Sequence, residues 1–196
     1  MAIVINGSGT VTGISVGGLP DAIVDSGTLA TDSVDSAELI DGSIDTAHIA
    51  ADQITSAILP AGSVIQVVQA VSSSETIVGT SFTACAPTVT ITPSSSSSKI
   101  LISFNAGGII SGTVNGVRLQ IKRDSTVIRY SIRYGYHTTG SYTPCPIIYE
   151  ILDSPSTTSA ITYTLEAQKQ SGGVLEINSA GGTPAAMTAI AMEIKG

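Results

Sequence analysis

No lysine or arginine precedes Lys99, and charged residues make up only 12% of the chain. Nucleic acid and anionic membrane are therefore excluded as partners of the N-terminal part, where nothing would neutralise a phosphate. Residues 1–60 instead carry eight acids, Asp21, Asp25, Asp32, Asp35, Glu38, Asp41, Asp45 and Asp52. All eight basic residues lie between Lys99 and Lys195 and are opposed by seven acids, so the first part is about −8 and the rest about +1. Tryptophan is missing and aromatics are scarce at 4%, whereas Ser, Thr, Gly and Ala abound. Such a composition suits a β-rich assembly protein better than an average enzyme. Cys85 and Cys145 are the only cysteines, with no CxxC and no metal-ligand spacing. One disulfide is open to them, although two buried free thiols are the commoner outcome for cysteines on separate strands. The N-terminus lacks a basic region followed by an apolar core, so no signal peptide is expected. No apolar run reaches the ~18 residues that a membrane helix needs, so no membrane insertion is expected either.

What the chain does have is a repeat. A branched aliphatic residue recurs every fifth position, at Val24, Leu29, Val34, Leu39, Ile44, Ile49, Ile54, Leu59 and Val64. The finer unit is ten residues long, as in Asp35-Ser36-Ala37-Glu38-Leu39 followed by Ile40-Asp41-Gly42-Ser43-Ile44. A step of five leaves no stripe on a helix at about 100° per residue. On a strand it sends successive apolar residues to opposite faces. Each repeat is therefore expected to be a short broken unit. Its Asp/Thr-Ser/Thr-Ala half reads as a capped helical turn in which a Ser or Thr oxygen accepts from a backbone N–H.

Fixing one residue's backbone costs roughly 1–2 kcal/mol, and burying one aliphatic side chain returns about 1.5–3 kcal/mol. One such side chain per five residues cannot order a lone chain. Either the segment is an acidic flexible linker, or several copies associate and hide their aliphatics along a shared axis. Strict register favours association, because a linker has no need of it. Val24, Leu29, Val34, Leu39, Ile44, Ile49, Ile54 and Leu59 are the expected core of a trimeric stalk.

Before the repeat, Ile3-Val4-Ile5, the turn signal Asn6-Gly7-Ser8-Gly9 and Val11 to Val16 read as a small β element. A lone hairpin is marginal in water, so it needs a partner surface, either an attachment site on another protein or the stalk itself. After Gly62 the pattern changes to short β runs: 63–71, 76–83, 88–91, 100–105, 117–122, 126–136, 147–152, 162–168, 174–177 and 188–194. Val117, Leu119 and Ile121 alternate strictly with Arg118, Gln120 and Lys122. The connections are rich in Gly, Ser and Pro, among them Gly107-Gly108, Ser111-Gly112 and Gly172-Gly173. The expected fold is all-β: a jelly-roll-like β-sandwich over 61–196, preceded by a fibrous stalk with short helical turns over 21–60 and an N-terminal attachment segment over 1–20.

Catalytic constellations are weak. Three copies of His48 in a trimer would converge as a metal site, but an exposed or lumen-lining histidine is the plainer reading. Glu150 and Asp153 are three apart at a strand end, whereas a glycosidase needs its carboxylates across a cleft. No GxSxG motif, phosphate loop or basic-aromatic platform appears. No enzyme activity, cofactor, metal or nucleic-acid partner is expected. One surface stands out. Arg129 to Tyr149 holds five of the eight aromatics, Tyr130, Tyr134, Tyr136, Tyr142 and Tyr149, along with His137. Tyrosine offers a flat apolar face with a polar tip. Tyr136, His137 and Tyr142 flank a Thr/Gly/Ser loop and are candidate receptor contacts, although Tyr130, Ile132, Tyr134 and Tyr136 share one strand face and a core or subunit interface is the plainer reading of it.

Asn6 to Pro20, the repeat Asp41-Gly42-Ser43-Ile44-Asp45-Thr46-Ala47-His48-Ile49, and the stretches Val89 to Pro93, Ser98 to Ile102 and Leu152 to Ala160 with Thr162 to Thr164 resemble bacteriophage tail-fibre proteins, notably those of phages that infect cyanobacteria. The resemblance spans nearly the whole chain, in motifs of low complexity. It implies a homotrimer in the virion, assembled in the host cytoplasm. The N-terminus would be held by another virion protein, and the outward C-terminal domain would meet a host-surface glycan or protein. Head fibres and decorations on capsids carry similar modules, so a capsid-borne fibre is the alternative to a tail fibre, and a fibre-borne polysaccharide depolymerase is a second. The resemblance brings no catalytic residues with it.

Overall fold

The structure, a computed structural model, describes residues 44–45, 47–51, 53–114, 116–133, 143–144, 146–179 and 186–196. Twelve strands follow in order: β1 (Val64–Ser72), β2 (Thr76–Val78), β3 (Thr83–Ile91), β4 (Lys99–Ala106), β5 (Gly108–Val114), β6 (Val117–Arg123), β7 (Thr126–Arg133), β8 (Thr143–Pro144), β9 (Ile147–Asp153), β10 (Ile161–Lys169), β11 (Gly172–Ile177) and β12 (Met187–Ile194). The described residues contain no helix.

Eight of these strands make two antiparallel sheets, ordered β1-β12-β4-β9 and β3-β10-β6-β7. Except for the β6–β7 hairpin, the chain crosses from one sheet to the other at each step. Two four-stranded sheets wound this way are a jelly roll. The remaining strands, β2, β5, β8 and β11, each lie within one of the crossovers at a single end and pair as a third sheet, β2-β11-β5-β8.

Alternation explains the packing. In β12, Met187, Ala189, Ala191 and Glu193 are buried while the residues between them are half-exposed. The same period runs through β4, with Ile100, Ile102, Phe104 and Ala106, and through β10, with Ile161, Tyr163, Leu165 and Ala167. Small residues make room for large ones: Phe104 pairs in register with Ala189 of the neighbouring strand. β12 lies between β1 and β4, so the last strand closes the sheet from its interior.

The structure departs from the sequence reading at several points. The run 76–83 is two elements: β2 ends at Val78, and β3 starts at Thr83 and continues through Pro87. Proline lacks an N–H, and the β3–β10 register breaks beside it, between Tyr163↔Val89 and Leu165↔Cys85. Gly107 is the one-residue break between β4 and β5, but Gly108 and Ser111-Gly112 do not form loops, because Gly108–Val114 is strand β5. Gly172 and Gly173 likewise lie inside β11 rather than in a connection. A Cβ on Gly172 would run into the Thr113 carbonyl, and its φ of 72° is one glycine tolerates.

Residues 44–53 belong to a separate compact unit. Its described part holds turns rather than helix: the His48 amide donates to the Asp45 carbonyl at 3.1 Å and the Gln53 amide to the Ala50 carbonyl at 3.3 Å. The cap differs from expectation. The Asp45 carboxylate, not a Ser or Thr hydroxyl, accepts from the Ala47 N–H at 2.8 Å. A carboxylate two residues back makes this bond as readily and adds charge assistance. The Ala47 N–H first, and His48 next, hold the Asp45 carboxyl below its usual range.

Candidate assembly surfaces

The two principal sheets turn very different outer faces to their surroundings. On β10, Thr164, Glu166 and Gln168 point outward and pair with Lys122, Gln120 and Arg118 of β6. Gln120 Nε2 donates to Glu166 Oε2 at 2.5 Å, and Lys122 Nζ lies 3.4 Å from Glu166 Oε1. Thr90 and Thr162 join their hydroxyls at 2.8 Å. At one side Tyr130 meets Phe82 edge-on, with ring centroids 6.0 Å apart. Tyr130 therefore turns outward, 45% exposed, rather than into the core. This face is mainly polar, with one aromatic pair and one exposed aliphatic, Val127, opposite Lys122.

The β1-β12-β4-β9 sheet is the reverse. Register sets Val67 opposite Met192, Met192 opposite Leu101, and Leu101 opposite Leu152. An unbroken aliphatic row thus crosses all four strands. The next two rows on one side are mixed: Gln69, Ile190, Ser103 and Glu150 form the nearer, and Val71, Thr188, Asn105 and Ile148 the farther. Val67, Val71, Ile148 and Leu152 are 57%, 58%, 55% and 50% exposed. Single exposed aliphatics are ordinary on a protein surface, but a contiguous patch marks an interaction site. Ser103 Oγ donates to Glu150 Oε1 at 2.7 Å, so the acidic group on this face is held by its neighbour.

The repeat's aliphatics are exposed in the single chain as well. Ile44, Ile49 and Ile54 are 51%, 38% and 54% exposed, and Val64, where the five-residue spacing enters β1, is 52% exposed. Leu59 is half-buried. Val24, Leu29, Val34 and Leu39 lie outside the described residues. The turn after Thr55 is fastened to the last strand: Lys195 Nζ donates to the Ala57 carbonyl at 3.0 Å and to the Leu59 carbonyl, and the Gly62 amide donates to the Lys195 carbonyl at 2.8 Å.

The other sequence candidates are not brought together. Glu150 faces outward, whereas Asp153, an odd number of residues on, faces inward, where it is tied to Arg123 and Tyr163. They do not share a cleft, as a glycosidase pair must. His48 Nδ1 lies 2.8 Å from Asp45 Oδ1 and both side chains are exposed. Cys85 is a buried free thiol, its pKa pushed up to about 12 by burial above all. Cys145, Tyr134, Tyr136, His137 and Tyr142 lie outside the described residues. A cleft of about 230 Å3 lies between Ser56-Ala57 and the Ser94–Ser97 loop. Its lining is serine-rich and its one cation, Lys195, is committed to backbone carbonyls. Among the described residues no three His, Cys, Asp or Glu side chains gather in a metal-holding cluster.

Sequence reading missed the aliphatic row. Its members are unremarkable on their own strands, and only the pairing register aligns them. An available signal was that Val67, Leu101, Leu152 and Met192 fall on the strand face opposite the more apolar, buried set.

No protein-family model matches the chain, and no curated protein does. Among solved structures the chain is similar to capsid structures of infectious bursal disease virus. The Gx strain structure matches at a TM-score of 0.30 and 15% identity, over 65% of this chain and 37% of that one. A T13 viral particle matches at 0.29 and 13%, over 66% and 37%. A VP2 subviral particle matches at 0.29 and 15%, over 67% and 38%. This chain thus spans little more than a third of those chains. At such scores the likeness carries no argument, and the jelly-roll class rests on the strand order given above.

Proposed function

We propose that this chain is a structural fibre of a virion: a homotrimer whose repeat segment forms the stalk and whose jelly roll forms the outer head. One observation carries the reading. The aliphatic residue of every fifth position is conspicuous in the sequence, and at Ile44, Ile49 and Ile54 it stands exposed in the single chain. An acidic segment gains nothing from such register unless sister copies cover it. The resemblance of Asn6 to Pro20 to tail-fibre N-termini supports an anchoring role for the first segment, on another virion protein. The role is mechanical and adhesive, without catalysis or cofactor. Host recognition is assigned to the head of a tail fibre, with Tyr136, His137 and Tyr142 as the receptor contacts.

Sedimentation of the purified full chain tests the oligomer: a trimer is expected, and a monomer at micromolar concentration overturns the stalk. Labelling the C-terminus in intact virions is expected to mark a tail, and a label confined to the capsid shell overturns the tail assignment. Tyr142→Ala with His137→Ala is expected to abolish adsorption to host cells, and unchanged adsorption removes those contacts.

A further inference from the structure

We propose that the outer face of the β1-β12-β4-β9 sheet is where the heads of neighbouring copies of this chain pack against one another. This inference rests on the reading that copies associate through the repeat segment, and adds that the head contributes its own contact.

The row Val67, Met192, Leu101 and Leu152 gives the face its chemistry. With strands spaced about 4.8 Å apart and rising about 3.3 Å per residue, four strands of seven to nine residues present on the order of 500 Å2 of flat sheet. The aliphatic row is the continuous apolar strip across that face, with polar residues in the rows next to it, an arrangement that suits the apolar centre and polar rim of a subunit contact. A glycan would want aromatic platforms, but the tyrosine of β9, Tyr149, points inward, and the outward aromatic pair, Tyr130 with Phe82, lies on the other sheet. A nucleic acid would want a basic patch, but among the described residues the only charged ones on this face are Lys99 and Glu150. Those two cancel, so identical copies meet without net repulsion. A copy of the same chain is the occupant that remains. It is also the one already at hand, because the five-residue spacing that calls for sister copies runs without a break into β1 at Val64, three residues before Val67.

The test uses the full chain in a Cys145→Ser background, in which the remaining native thiol, Cys85, is buried. Single cysteines are placed at Val67→Cys and Leu152→Cys on this face and at Thr88→Cys on the outer face of the other sheet. All three sites are exposed in the single chain, so none costs the fold its core. Sedimentation gives the size, and iodoacetamide alkylation gives the accessibility. A trimer in which Val67→Cys and Leu152→Cys react at least tenfold more slowly than Thr88→Cys is expected. A trimer in which all three react alike overturns the head contact while leaving the stalk intact. A monomer overturns both. Equal rates that slow at Val67→Cys and Leu152→Cys only when host-cell envelopes are added overturn it in favour of a host ligand.

Discussion

Tyr163 and Asp153 stand on opposite sheets, and the phenol hydroxyl of the first donates to Oδ2 of the second at 2.7 Å. Arg123 Nη1 closes the group, 3.1 and 2.9 Å from the two carboxylate oxygens. Three side chains thus clasp the sandwich at the end opposite the third sheet. Tyr163 is fully buried. Burial first, then the hydrogen bond and charge of Asp153, push its phenol above the usual tyrosine range.

The pH consequence has a definite sign. An unfolded tyrosine loses its proton near pH 10, whereas Tyr163 in the folded chain keeps it beyond that. Above pH 10 the unfolded state therefore binds fewer protons, and stability falls as pH rises. The contribution is complete below pH 10. Cys85, raised to about 12, acts in an overlapping window above pH 9. Tyr163→Phe is expected to lower stability at pH 7 by about 1 kcal/mol, or about 2–4 °C in Tm. It should also flatten the alkaline decline, leaving the Cys85 part. Thermal melts of both proteins from pH 7 to 11 check this, and parallel declines would refute it.

Glu193 is a buried carboxylate among donors alone. The Ser94 amide and hydroxyl both donate to Oε1 at 2.7 Å, and Gln66 Nε2 donates to Oε2 at 2.5 Å. Burial would raise its pKa, but the polar groups around it, Ser98, Gln66 and Ser94, outweigh that and hold it below the usual range. Its stabilisation is present above the unfolded value of about 4.3 and is lost as pH falls through the folded value. Glu193→Gln turns an NH2 toward a donor and is expected to cost about 1–3 kcal/mol at pH 7, with a smaller loss on acidification than the parent. Denaturant titrations at pH 7 and pH 3.5 measure both.

Asn178 joins the third sheet to the sandwich. Its Nδ2 lies 3.3, 3.1 and 3.1 Å from the carbonyls of Ser72, Ser74 and Ala86, and its backbone adopts φ 62°. Asparagine tolerates that conformation better than other residues with a Cβ. Asn178→Ala removes the buried amide that the Ser72, Ser74 and Ala86 carbonyls share and adds strain, and is expected to cost about 2–4 kcal/mol. Asn178→Gly relieves the backbone and is expected to cost about 1–3 kcal/mol. If the two variants melt together, the backbone part of the explanation is wrong.

Alternation carried most of the head. Val117, Leu119 and Ile121 announced β6, and the apolar run at the C-terminus announced a closing strand, because a residue's neighbours two places away share its face. The five-residue spacing likewise set apart the segment before Pro60 and gave it sticky positions, by counting alone. Local chemistry did not reveal β5 or the start of β11. Their glycines read as turns until a partner strand gives each a reason to be extended, and only the backbone of Thr113 shows why Gly172 must lack a side chain. Nor could it reveal the aliphatic row. Val67, Met192, Leu101 and Leu152 are scattered along the chain, and their alignment is a matter of register between strands, which hydrogen bonding across space decides. The sequence by itself therefore determined the all-β class and the repeat, both of which are short-range periodicities. The tertiary structure alone decided which face is bare, because that depends on which strands become neighbours.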